Sequence, residues 1–262
     1  MTRLTIGQYY PADSPLHRLD PRVKLLAAIA YITVLIFVTN FYGFGIAVLF
    51  LAVVIRASRV PARFIFRGLR AILFILSFAA LINLLLTPGE NVLFSYAFIQ
   101  VTTEGIHRAA LMALRLVLLI TGSSLLTLTT SPIQLTDGIE SLLKPLRLPA
   151  HDIAMMMTIA LRMIPTLSEE LGKIMKAQKA RGVDLETGGP LKRIKNIIPI
   201  LVPLFVSSFK RADELATAME ARCYRGGKGR TKLKPLGFTG RDALAGGIIV
   251  VFCVGLVLTR FI

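Results

Sequence analysis

The sequence predicts an all-α integral membrane protein of about five transmembrane helices, with a basic, helical cytoplasmic segment between the fourth and the fifth. Three observations carry this. Hydrophobic residues make up 54% of the 262 and charged residues only 18%, against roughly 25% charged in a typical soluble domain. The apolar residues fall in long runs, at a mean hydropathy of +0.67, and not in a helical stripe. The net charge of +16 lies between those runs, as a face held toward the cytoplasm and its anionic headgroups requires, and not as a nucleic-acid surface.

The apolar runs cover about 25–55, 71–86, 109–129 and 243–262. The first is too long for one span of about 20 residues, and Thr39-Asn40-Phe41-Tyr42-Gly43-Phe44-Gly45 interrupts it. Charge decides the count. Arg3, Arg18, Arg22 and Lys24 precede the run, and Arg56, Arg59, Arg63, Arg67 and Arg70 follow it. Two spans turning near residues 40–45 keep all of these on one side. Residues 87–106 carry Glu90 and Glu104 but no Lys or Arg, so they form an external loop; residues 131–241 are strongly basic. This threading puts 28 of the 31 Lys and Arg on the inner side, leaving Arg108, Arg115 and Arg260. The positive-inside rule then places the N-terminus in the cytoplasm and the C-terminus outside.

The resulting domains are a four-span membrane domain over 1–130, a cytoplasmic domain over 131–236 and a C-terminal transmembrane helix over 237–262. Met1–Lys24 has no apolar core of signal-peptide length, so the first span is expected to act as its own insertion signal. Cys223 and Cys253 form neither a disulfide framework nor a zinc site.

Within the cytoplasmic segment, Ser131-Pro132-Ile133-Gln134 is a capping box with proline at the first helical position. Leu135, Ile139, Leu142, Leu143 and Leu146 follow on one face of a short amphipathic helix ending near Arg147. A second helix is predicted from Ala150 to Arg181, about 48 Å long, with a kink at Pro165. Gly182–Pro190 is a breaker-rich loop. A third helix runs from about Lys192 to Arg222, bent by Pro199 and Pro203, and Gly226-Gly227-Lys228-Gly229 marks the loop after it.

Both long helices end alike: Lys179-Ala180-Arg181-Gly182 and Glu220-Ala221-Arg222-Cys223. Alanine keeps the last turn slim. Arginine suits the negative end of the helix dipole and offers a planar fork of donors to a carboxylate. Glycine permits the left-handed residue that stops a helix. One such end is an ordinary stop signal; two in succession point to a pair of cationic docking tips.

With these motifs in view, the whole chain resembles the transmembrane T component (EcfT/CbiQ-like) of energy-coupling factor (ECF) transporters. Gly7-Gln8-Tyr9-Tyr10-Pro11, Ser14-Pro15-Leu16-His17-Arg18-Leu19-Asp20-Pro21-Arg22 and Lys24 look like the family's N-terminal signature. Thr129-Thr130-Ser131-Pro132, Ala180-Arg181-Gly182, and Ala221-Arg222 with Tyr224-Arg225-Gly226-Gly227 match as well. The resemblance implies a non-catalytic subunit of an ATP-driven importer of vitamins or metal ions in the prokaryotic cell (inner) membrane. The 131–236 segment becomes its cytoplasmic coupling domain. The implied partners are two cytoplasmic ABC ATPase subunits (A and A′), a membrane-embedded substrate-binding S component and membrane lipids, with no nucleic acid. No cofactor is implied for this chain, since ATP is bound by the partner ATPases. Arg181 and Arg222 would be the ATPase-docking tips, shaped by Ala180, Gly182, Ala221 and Cys223. Cys223 departs from the family's glycine, and Gly226 is positioned to supply the stop three residues later.

The residues agree with a non-enzymatic part. Gly226–Gly229 lacks the upstream glycine and following hydroxyl of a phosphate loop, and His17, His107 and His151 are scattered with no metal-site spacing. His17 is expected to make a structural hydrogen bond. The alternative is a self-sufficient secondary transporter or channel, which would place ionisable groups in its spans. Arg115, with Asn83 as neutral companion, is the one clear case. A membrane-anchored enzyme acting on phosphates or lipids would need a carboxylate pair or a nucleophile with its base, and none stands out.

Overall fold

The computed structural model describes residues 9–86, 92–96, 99–146, 149–183, 189–227 and 236–259. Outside them lie Gly7 and Gln8 of the N-terminal signature, Glu90, Arg147, residues 184–188 of the expected loop, Lys228, Gly229 and Arg260. The chain forms two compact units: Gly7–Gly138 with Lys234–Ile262, and Ile139–Leu233.

The first unit is a helix bundle. Asp20 caps α1 (Pro21–Phe37) by accepting a hydrogen bond from the Arg22 N–H at 2.9 Å, and Pro21 opens the helix. The backbone turns extended at Val38 and Asn40, and α2 (Phe41–Ser58) begins. The long apolar run is therefore two helices, as the charge pattern demands. α3 covers Ala62–Leu86, α4 Thr103–Thr129, and α8, at the far end of the chain, Gly240–Leu258. α2, α4 and α8 are long and apolar enough to cross a membrane; α3 contributes the shorter apolar stretch Leu73–Leu84, and α1 has 17 residues. Among the described residues the fold is all-α apart from one feature: the expected loop over 87–106 contains a small antiparallel ribbon, β1 (Val92–Tyr96) with β2 (Ile99–Thr102).

Contacts fix the helix directions. Lys24 reaches Thr129, Tyr31 donates to the Leu118 carbonyl at 3.1 Å and Arg115 to that of Val38, so α4 runs antiparallel to α1. Asp20 meets Asp242, Tyr31 stacks on Phe252 and Asn40 donates to the Thr259 carbonyl, so α8 runs parallel to α1. First and last helices thus point the same way, as an odd number of crossings requires. Tyr31, Leu35, Phe44, Leu51, Leu118, Phe252 and Leu256 form the core. Gly122 leaves room for Tyr31: a Cβ there would stand 2.4 Å from the ring. The outer faces are apolar; Phe74 is 80% exposed and Val251 73%, as lipid-facing positions are.

One end of this bundle is polar and buried. Lys24 Nζ donates to the carbonyls of His17 (3.2 Å) and Thr129 (3.0 Å). Asp242 accepts from the Asp20 N–H at 2.7 Å and, with its other oxygen, from the N–H and hydroxyl of Thr239, completing a capping box on α8. His17 makes the structural bonds expected of it, to Ser14 Oγ at 2.7 Å and the Tyr10 carbonyl at 2.9 Å.

α5 (Pro132–Leu143) starts from the predicted capping box. The Ser131 N–H donates to Gln134 Oε1 at 3.1 Å, and the Gln134 N–H to Ser131 Oγ at 3.3 Å. A 3-10 turn over Lys144–Leu146 ends it. In the second unit, α6 (Ala150–Ala180) contains Pro165, and α7 (Pro190–Ala221) contains Pro199 and Pro203. These two helices are antiparallel over most of their length. Glu170 bonds Arg211 and Ser207, Met163 and Ile159 line a cleft with Ala212, Leu215 and Met219, and His151 reaches Tyr224.

Candidate functional site: two arginine-tipped helix ends

The ends of α6 and α7 are the same cap built twice. At the first, the Gly182 N–H donates to the Lys179 carbonyl and the Val183 N–H to that of Gln178, both at 3.0 Å. At the second, the Cys223 N–H donates to the Glu220 carbonyl at 2.8 Å and the Tyr224 N–H to that of Met219 at 3.0 Å. These paired bonds, two and three carbonyls back from the cap, define the Schellman motif. Arg181 and Arg222 are the caps themselves, with φ of −83° and −93°. Gly182 follows at φ +85° and Cys223 at +55°.

The stop belongs to Cys223 itself and not to Gly226, because Cys223 takes up the left-handed conformation that ends the helix. Gly226, at φ +80°, turns the chain again further on. An L side chain is strained in that region; the cap's hydrogen bonds hold the cysteine in place regardless.

Ala180, Arg181 and Gly182 are exposed, as are Ala221, Arg222 and Cys223. Nothing lies within 4 Å of where a Gly182 Cβ would be, so that glycine serves the backbone and not a tight contact. Each tip carries one guanidinium against the negative end of a helix of 31 or 32 residues. The antiparallel pairing sets them apart. Tyr224 lies level with His151, so the Arg222 tip stands near the start of α6 and Arg181 at its end. At 1.5 Å per residue the two tips are about 40 Å apart along the pair. Such an arrangement can hold two acidic grooves at once, one at each end.

Arg115 and Asn83 each donate to a carbonyl within the bundle. The Arg115 guanidinium donates to the Val38 carbonyl at the end of α1 and lies 5.7 Å from the Phe44 ring centroid. Asn83 donates to the Ala79 carbonyl at 2.9 Å and lies 3.0 Å from Met112 Sδ. Among the described residues, no group of three or more His, Cys, Asp and Glu side chains is arranged to hold a metal ion. Sequence reasoning missed the Lys24–Asp242 cluster and the His151–Tyr224 contact. Only the first had a signal, the Thr239-x-x-Asp242 capping-box spacing.

The sequence profile of the CbiQ family, described as cobalt transport protein, matches residues 12–233. The chain belongs to this family. Its relatives include the energy-coupling factor transporter transmembrane protein EcfT of Clostridium kluyveri, 56% identical over 92% of this chain and 91% of that protein. The protein of the same name from Ruminiclostridium cellulolyticum is 50% identical over 99% and 98%, and that from Bacillus subtilis 47% identical over 92% of each. Membership makes the chain a transmembrane component of an energy-coupling factor transporter, in keeping with its apolar helices.

Proposed function

We propose that this chain is the coupling subunit of an ECF-type ABC importer, passing ATP-driven motion from two cytoplasmic ATPases to a membrane-embedded S component that binds the vitamin or metal ion. The observation that supports it best is the duplicated cap: two exposed arginine tips of one geometry at opposite ends of an antiparallel helix pair. Each tip docks in a groove of one ATPase, Ala180 and Ala221 allowing close approach and the guanidinium meeting a carboxylate. The chain binds no ATP itself.

The S component is received on apolar surface. Ile194, Ile198, Val202, Phe205 and Phe209 recur at helical spacing on α7, and Phe209 is 69% exposed, more apolar surface than a helix facing water carries. When ATP closes the ATPase dimer the tips move with their grooves, α6 and α7 shift, and the S component is tipped between outward and inward orientations. The basic excess orients the chain in the prokaryotic cell membrane with its N-terminus in the cytoplasm and its C-terminus outside.

Co-purification from native membranes with a tagged chain tests this. Two ATPase subunits and a small hydrophobic protein are expected with wild type, and the Arg181→Glu, Arg222→Glu double variant should lose the ATPases. A double variant that retains them reduces the tips to helix stops.

A further inference from the structure

Behind the second tip, one imidazole collects three elements of the coupling unit. His151 Nε2, in the first turn of α6, lies 3.2 Å from the Tyr224 hydroxyl. Its Nδ1 lies 3.6 Å from Glu140 Oε1 on α5, a carboxylate only 5% exposed that also faces Lys144 Nζ at 3.7 Å. Gly227 packs on the same ring: a Cβ there would stand 2.6 Å from His151 Cγ and Cδ2, nearer than carbon atoms approach without moving. Gly227 does not share the positive φ of Gly226. Its lack of a side chain answers to space alone. Residues 224–227, one residue beyond the Arg222 cap, therefore clasp His151 from two positions.

We infer that His151, clasped by Tyr224 and Gly227, is a positioning residue that sets the direction in which the Arg222 tip points. A Schellman cap fixes the backbone through its second residue past the cap, which here is Tyr224. Only Cys223 lies between tip and clasp, and its N–H is bonded within the cap, so the chain there has no swivel. Through His151 and Glu140 the tip is joined to the start of α6 and the end of α5, so a push on Arg222 moves those elements too. The inference rests on the docking role proposed above for its purpose, though not for its geometry.

Cys223 offers a direct probe, since it is exposed and lies between tip and clasp. A spin label on Cys223 in a Cys253→Ala chain should show restricted motion. Tyr224→Phe removes the hydroxyl and should raise the mobile fraction about fivefold, the effect of one lost neutral hydrogen bond; Gly227→Ala should raise it at least as much. Gly172→Ala, whose added Cβ meets nothing within 4 Å, should leave the spectrum unchanged. Unchanged spectra in both clasp variants, or equal loosening by Gly172→Ala, would overturn the inference.

ATPase retention then tells what the clasp serves. In an Arg181→Glu chain, where the second tip alone holds, Gly227→Ala should lower co-purified ATPase severalfold; in an Arg222→Glu chain it should change little. An equal fall in both backgrounds makes the clasp a general fold contact and overturns the positioning role. If the label responds as expected while neither arginine affects retention, the clasp stands and the docking proposal fails.

Discussion

Cys223 holds a conformation that favours glycine, at φ +55°. For an L residue the left-handed region costs roughly 1–2 kcal/mol, while glycine would return about 0.5–1 kcal/mol through the freedom of the unfolded chain. Cys223→Gly is therefore expected to stabilise the chain by up to about 1 kcal/mol, read as a raised thermal midpoint in detergent, with ATPase retention unchanged. A midpoint that falls would mean that the cysteine side chain makes a contact within the chain that outweighs the strain of its left-handed backbone. Arg115, in α4, is likewise held by a single backbone partner. The sequence alone made it a candidate for ion handling, yet its guanidinium donates to the carbonyl that α1 leaves unpaired at Val38. A secondary transporter thereby loses the one ionisable side chain that suggested it.

At the scale of elements, α6 and α7 are joined by a polar bridge within an apolar seam. The Ser207 hydroxyl and then the Arg211 guanidinium hold the Glu170 carboxyl below its usual range, with Arg211 Nη2 at 2.7 Å. A carboxyl depressed in the folded state adds stability above its unfolded pKa of about 4.3 and loses it as pH falls through the lower folded value. Acidification from about pH 6 to about pH 3.5, across that range, should thus lower the thermal midpoint of wild type more than that of Glu170→Gln. Equal losses would show that the bridge adds nothing. Much of this element scale was legible in the sequence. The 3.6-residue period places both long helices to within about two residues, and the Ser131–Gln134 box starts α5 where its spacing says. The β1–β2 ribbon was not legible, because nine strand residues in a charge-poor loop carry no long period. Nor was the clasp: a lone histidine says nothing until the antiparallel pairing of α6 with α7 brings Tyr224 to it.

At the scale of the whole molecule, helices far apart in the chain meet at the polar end of the bundle. α4 ends at Thr129 and Thr239 caps α8, more than a hundred residues later, and one stretch of chain holds both. Lys24 takes the Thr129 carbonyl at 3.0 Å, and the Asp20 N–H takes Asp242 at 2.7 Å; Lys24 and Asp242 are 7% and 2% exposed. The end of α4 and the start of α8 are thereby tied to a single buried anchor at the start of α1. Asp242→Asn offers one acceptor oxygen where two are used, so either Thr239 or the Asp20 N–H faces an amide donor. Lys24→Met leaves two buried carbonyls unpaired. Each change should cost about 1–3 kcal/mol. Because both act on residues 17–24, the double variant should cost less than their sum, by about 0.5 kcal/mol or more. Additive losses in thermal midpoint would instead mean that the end of α4 and the start of α8 are held independently.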